Sequence, residues 1–168
     1  VDYLKKKKEK INFCIVGEPT NPKKLGEMIK IGRRGSLTAE LEIFGTQGHI
    51  AYPHLTNNPI NTLVKICYEL KKSKLDNGNK NFQPSNLEFT SINVNNQAHN
   101  VIPASAKTLF NIRYNNIQTA KKLKVKINKV IKRFSKKNKC KYKITYLESG
   151  ESFLTTPGKN IYLAKKII

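Results

Sequence analysis

The sequence predicts an α+β fold, with elements in the order β-α-β-β-α-β over residues 36–148. Three observations carry the prediction. From Ser36 onward, Leu37, Ala39, Leu41 and Ile43 alternate with Thr38, Glu40 and Glu42, the period of a half-buried strand. Two later stretches repeat apolar residues at helical spacing, each behind a capping residue. The other apolar stretches are short and bounded by turn formers.

Taken in order, residues 11–16 (Ile-Asn-Phe-Cys-Ile-Val) read as a buried strand stopped by Gly17-Glu18-Pro19, and residues 27–31 as a second short strand. Gly32-Arg33-Arg34-Gly35 is a break before the alternating strand. That strand leads into a loop, residues 45–56, holding His49 and His54. Asn58 caps the first helix with Pro59 at its first position, and Ile60, Leu63, Val64, Cys67 and Leu70 form its apolar stripe. Residues 74–84 are a polar loop. Residues 87–94 form a strand whose phase slips between Phe89 and Ile92, as a bulge requires.

Residues 95–103 connect to a strand at 108–114, with Phe110, Ile112 and Tyr114 on one face. Thr119 caps the second helix, whose stripe is Ala120, Leu123, Ile127, Val130, Ile131 and Phe134. Tyr142, Ile144 and Tyr146 mark the last strand, and residues 149–158 are a turn-rich exit. The order is that of the split-βαβ, ferredoxin-like unit, an antiparallel sheet with two helices on one face. We read residues 33–148 as that unit, inserted between segments 1–32 and 149–168 of a larger α/β domain. Both ends read as cut from a longer protein.

Composition narrows the function classes. The 168 residues carry 32 Lys+Arg against 11 Asp+Glu, a formal charge of +21. Such a balance invites a nucleic-acid reading. The excess is mostly Lys mixed with Asn and Ile, spread over helices, loops and ends, rather than Arg set beside aromatics on one face. We take it as solvated filler. A basic ferredoxin-like RNA-binding module is the competing class, but residues 107–114 hold Phe110 and Tyr114 without an Arg/Lys-Gly-Phe motif. No apolar run reaches the roughly 20 residues of a spanning helix. Three Cys at unrelated spacings give no disulfide framework, so a reduced cytoplasmic setting is expected, with Cys14 and Cys67 as core residues.

Several residues could carry chemistry. Glu18 follows a strand end, where a carboxylate either ligates a metal or forms a turn. His49, beside Gly48, is either a loop histidine or a donor to a developing oxyanion. Arg33 and Arg34 suit a carboxylate or phosphate, or line a solvated junction. Arg113, on the strand face opposite Ile112, calls for an anionic partner. Asn100 binds a ligand or closes a turn.

Val16-Gly17-Glu18-Pro19-Thr20, Gly32-Arg33-Arg34-Gly35-Ser36, Gly48-His49-Ile50-Ala51-Tyr52-Pro53-His54, Asn100-Val101-Ile102-Pro103 and Phe110-Asn111-Ile112-Arg113-Tyr114 follow in an order and spacing that resembles the M20 metallopeptidase family. The resemblance implies a zinc-binding α/β catalytic domain, interrupted by a ferredoxin-like lid that makes a homodimer. It implies a zinc amidohydrolase with two zinc ions per subunit, cobalt being able to substitute. By the same resemblance Glu18 is a metal ligand. His49 reaches the partner subunit's site and stabilises the oxyanion. Arg33, Ser36, Tyr52, Asn100 and Arg113 hold a small dicarboxylate or amino-acid substrate. The remaining metal ligands and the general base would lie before Val1 and after Ile168, and residues 1–168 alone would be inactive. Neither nucleic acid nor membrane is expected as a partner.

Overall fold

A computed structural model describes residues 2–11, 14–16, 21–24 and 26–167. It holds α1 (Asp2–Lys6), β1 (Gly32–Arg33), β2 (Gly35–Phe44), β3 (Gly48–His49), α2 (Pro59–Lys72), β4 (Asn86–Asn93), β5 (Val101–Ile102), β6 (Ser105–Tyr114), α3 (Ala120–Lys137), β7 (Lys141–Gly150), β8 (Phe153–Leu154) and α4 (Lys159–Ile167). The chain divides into two compact units, one of residues 1–31 with 155–168, the other Gly32–Leu154.

The larger unit is built on one antiparallel sheet of order β4-β6-β2-β7. Its elements β2, α2, β4, β6, α3 and β7 follow the β-α-β-β-α-β order, so the ferredoxin-like reading stands. Leu37, Ala39, Leu41 and Ile43 of β2 are at most 1% exposed, and Phe110, Ile112 and Tyr114 of β6 are fully buried beside them. This face packs under the helices, α2 against β2, β4 and β6, and α3 against β2 and β7. The other sheet face is polar and helix-free. There Lys107 Nζ reaches Glu40 Oε1 at 3.3 Å, and Ser105 Oγ donates to Glu42 Oε1 at 3.1 Å.

Local chemistry starts the helices where the caps predict. Asn58 Oδ1 accepts from Ile60 N–H at 2.9 Å, and Thr119 Oγ1 accepts from Lys122 N–H at 3.2 Å. The bulge falls between Phe89 and Ser91. Gly35 is demanded by packing, since a Cβ there would sit 2.2 Å from Tyr114 Cζ.

Several expectations change. Residues 11 and 14–16 are not strand, and Ile11, Cys14, Ile15 and Val16 are exposed. A buried strand needs paired neighbours on both edges, and none is given to these residues among the described ones. Residues 27–31 are not strand either; Ile31 carbonyl accepts from Thr155 N–H at 2.7 Å. The expected break at residues 32–35 instead pairs Gly32 and Arg33 with Leu154 and Phe153, so the larger unit runs on past residue 148. On α2, Val64 is exposed and Ile66 buried, because the helix turns Leu63 and Ile66 together onto the sheet.

Candidate functional site

The larger unit gathers the predicted residues into two groups. The first surrounds His49. Gly45, at the end of β2, lets the backbone of Asn57 approach so closely that a Cβ would lie 1.9 Å from its carbonyl oxygen. Thr46 and Asn57 then exchange both backbone hydrogen bonds, at 3.0 and 3.3 Å, and close the base of the loop. Inside the loop β3 pairs with β5, setting His49 opposite Val101. Ile50 N–H donates to the Asn100 carbonyl at 3.0 Å. Ala51 N–H donates to His49 Nδ1 at 3.1 Å, and Asn100 Nδ2 lies 3.5 Å from His49 Nε2. The Tyr52 ring is 6.0 Å from the imidazole and 56% exposed. Pro53 opens a 3-10 turn, and the His54 ring meets Tyr52 edge-on at 6.3 Å. His49, Tyr52 and Asn100 therefore share one loop-borne, solvent-facing corner.

The second group lies where β2 begins. One row of residues crosses the sheet there, Asn86, Arg113, Ser36 and Gly150 from edge to edge. Strand alternation puts Arg113 and Ser36 on the helix-free face. The Arg33 guanidinium lies beside Gly150, whose added Cβ would be 4.0 Å from Arg33 Nη2. One arginine, Arg113, thus belongs to the row, and a second, Arg33, lies beside its Gly150 end. Ser36 is 2% exposed, and its Oγ accepts from Asn111 Nδ2 at 3.1 Å, so its hydroxyl is engaged within the sheet.

Arg34 departs from its neighbour. Its Nη1 donates to Asn86 Oδ1 at 3.0 Å. With the Gln83 amide turned to face it by its oxygen, Nη1 and Nη2 are 3.1 and 3.0 Å away. Arg34 ties the loop before β4 to the sheet, whereas the Arg33 guanidinium has no hydrogen-bond or ion-pair partner among the described residues. Sequence reading also missed Asn96, whose Nδ2 donates to the carbonyls of Ala98 and Val101 at 3.2 and 2.8 Å and shapes the loop presenting Asn100. Its signal is the tendency of Asn to bond nearby backbone in turns.

The two groups sit at opposite ends of β2. Nine residue steps lead from Ser36 to Gly45, about 30 Å of extended chain at roughly 3.4 Å per residue. One small ligand cannot touch both ends of one chain. A depression of about 310 Å³ lined by Asn58, Asn61, Lys65, Lys137 and Lys139 holds none of the predicted residues.

Glu18 lies outside the described residues. Among the described residues no three His, Cys, Asp or Glu side chains gather as a metal site, so these residues do not fit a zinc pair by themselves. No helix among them is long and apolar enough to cross a membrane.

Comparison with known proteins agrees with this architecture. A tripeptidase from Staphylococcus aureus superposes with a TM-score of 0.68 at 14% identity, over 81% of this chain and 35% of that one. An aminopeptidase from Bacillus cereus gives 0.66 at 12% identity, over 82% and 36%. The succinyl-diaminopimelate desuccinylase of Pelagibacter ubique is 60% identical over all of this chain and 44% of its own length. That of Paracoccus denitrificans is 44% identical with the same coverage. The chain thus spans less than half the length of these relatives. Residues 31–139, more than half of the chain, match the M20 peptidase dimerisation domain, and the chain belongs to that family.

Proposed function

We propose that the chain is the dimer-forming lid of a zinc amidohydrolase that cleaves N-succinyl-L,L-diaminopimelate to succinate and L,L-diaminopimelate, a step of lysine and diaminopimelate synthesis in the cytoplasm. The observation that carries this reading is the separation of the two polar groups along β2. A substrate with carboxylates at both ends needs cationic forks and an oxyanion donor within one site. Two chains related by a two-fold axis supply them, Arg33 and Arg113 from one and His49, Tyr52 and Asn100 from the other. The desuccinylase relatives at 60% and 44% identity favour the succinyl substrate over those of other M20 deacylases.

In this reading the guanidiniums of Arg33 and Arg113 bind substrate carboxylates, bidentate where the geometry permits. Ser36 acts from within the sheet, through Asn111, rather than by direct contact. Tyr52 walls the loop corner beside the imidazole. Water adds to the succinyl carbonyl, and charge grows on its oxygen. The partner's imidazole donates a hydrogen bond to that oxygen, and loss of one such donor costs on the order of 10²–10³ in rate. In the intact enzyme zinc, or cobalt in its place, would supply Lewis acidity, and Glu18 would be a ligand from this chain.

The test is subunit complementation in the intact enzyme. His49→Ala and Arg113→Ala homodimers should each be nearly inactive on N-succinyl-L,L-diaminopimelate. Mixed one to one and re-associated, half the dimers are hybrids with one whole site, so activity should return to about a quarter of wild type. No recovery would mean that both groups serve the same subunit's site. Faster turnover of N-acetylornithine than of the succinyl compound would move the chain to another M20 deacylase.

A further inference from the structure

The functional reading above asks His49 for a hydrogen bond without saying which ring nitrogen gives it; the inference here rests on that reading. Ala51 N–H donates to His49 Nδ1 at 3.1 Å. A backbone N–H cannot act as an acceptor, so Nδ1 must offer a lone pair. A neutral imidazole holds one ring proton, and with Nδ1 accepting, that proton is on Nε2.

Nε2 is the nitrogen that faces Asn100, 3.5 Å from its side-chain amide. An N–H pointing at an NH₂ group is a clash of donors. Turning the amide by 180° puts Oδ1 against Nε2–H instead, a choice that only the hydrogen-bond network decides. The Asn100 backbone is fixed from two sides. Its carbonyl accepts from Ile50 N–H at 3.0 Å, and Asn96 Nδ2 holds the next carbonyl, that of Val101, at 2.8 Å.

We propose that the Ala51 N–H is a positioning group that locks His49 as its Nε2–H tautomer, and that Asn100 Oδ1 holds the proton until a ligand oxygen takes its place. Nε2–H is then the only neutral ring donor offered to the acyl oxygen. Asn100 is a resident acceptor that the substrate displaces, and Asn96 keeps it within reach.

Two measurements test this independently. In the ¹⁵N-labelled intact enzyme at alkaline pH, a coupling across the hydrogen bond between Ala51 N and His49 Nδ1, with the imidazole proton on Nε2, is expected. Absence of that coupling, or a proton on Nδ1, overturns the proposal without reference to activity. In the intact enzyme, His49→Gln places an amide nitrogen where Nε2 was and His49→Asn places one where Nδ1 was. The glutamine variant should keep a kcat about tenfold above His49→Ala with KM little changed, and the asparagine variant should match alanine. Rescue by asparagine alone overturns the tautomer while leaving the oxyanion role standing. A kcat unchanged in His49→Ala would instead remove the oxyanion role itself.

Discussion

Asp76 Oδ1 accepts from Asn115 Nδ2 at 2.7 Å, Gly78 N–H at 2.9 Å and Ser85 N–H at 3.0 Å, folding the loop before β4 around one carboxylate. Burial alone would raise its pKa. Hydrogen bonds from Ser85, Gly78 and Asn115 outweigh burial and hold it at about 2. A lowered folded-state value stabilises above the unfolded value of roughly 4, and that share is lost as pH falls through about 2. Urea unfolding at pH 7 and pH 3 should therefore show wild type losing stability toward acid. Asp76→Asn should be weaker at pH 7 and lose less between the two pH values; parallel losses would show that Asp76 does not carry the effect. The sequence marks residues 74–84 as a loop but not Asp76 as its centre, because that role depends on Ser85 and Asn115 converging in space. His49 and Asn100 stand out in the sequence beside Gly48 and Pro103. The Ala51 amide does not, since a backbone donor leaves no mark in residue type. Ser36 is placed on its strand by spacing alone, but its burial follows from Asn111 across the sheet.

Among the elements, α3 ends in a turn whose chemistry is unusual. Cys140 N–H donates to Ser135 carbonyl at 2.9 Å and Lys139 N–H to Lys136 carbonyl at 3.2 Å, the paired bonds of a Schellman ending. The residue that must take the left-handed conformation is Lys139, with φ of 52°, where glycine is the usual occupant. Lys139→Gly should raise unfolding free energy by about 0.5–1 kcal/mol, read by denaturant titration. A destabilised variant would mean that the lysine side chain outweighs the backbone strain. Helices and central strands were legible because one face of each is buried within this unit, which imposes periods of 3.6 and 2 on the sequence. Residues 11–16 show the limit of that logic. Their apolar run carries the signature of a strand, but a signature of burial does not supply the neighbours that bury it.

Over the whole molecule, charge separates the two sheet edges. The β7 side carries nine Lys and Arg on α3 and two Lys on β7 against Glu148 alone. The β4 side carries three Lys on α2 against Glu69 and Glu88. A two-fold contact sets a surface against itself, so the β7 side would meet its own positive charge. The β4 side also exposes Val64 at 55%, Tyr68 at 66% and Ile92 at 57%. Dimerisation should use this side. In the intact enzyme Val64→Glu with Tyr68→Glu should give monomers in sedimentation, while Lys126→Glu with Lys129→Glu should leave dimers; the reverse result would move the interface to α3. Nine of the 32 Lys and Arg behind the charge of +21 thus lie on α3, which carries no acid of its own.

The pairing of β2 with β6 runs without interruption for ten residues, from Gly35 opposite Tyr114 to Phe44 opposite Ser105. That makes the sheet a ruler between the arginine end and the imidazole end. A single residue inserted early in β2 would turn every following side chain to the other face, burying Glu40 or Glu42 and exposing Leu41 or Ile43. Only matched insertions of two residues on both strands preserve the faces, and each would move the ends apart by about 7 Å. The length of this strand pair is therefore a dimension that can change only in whole steps.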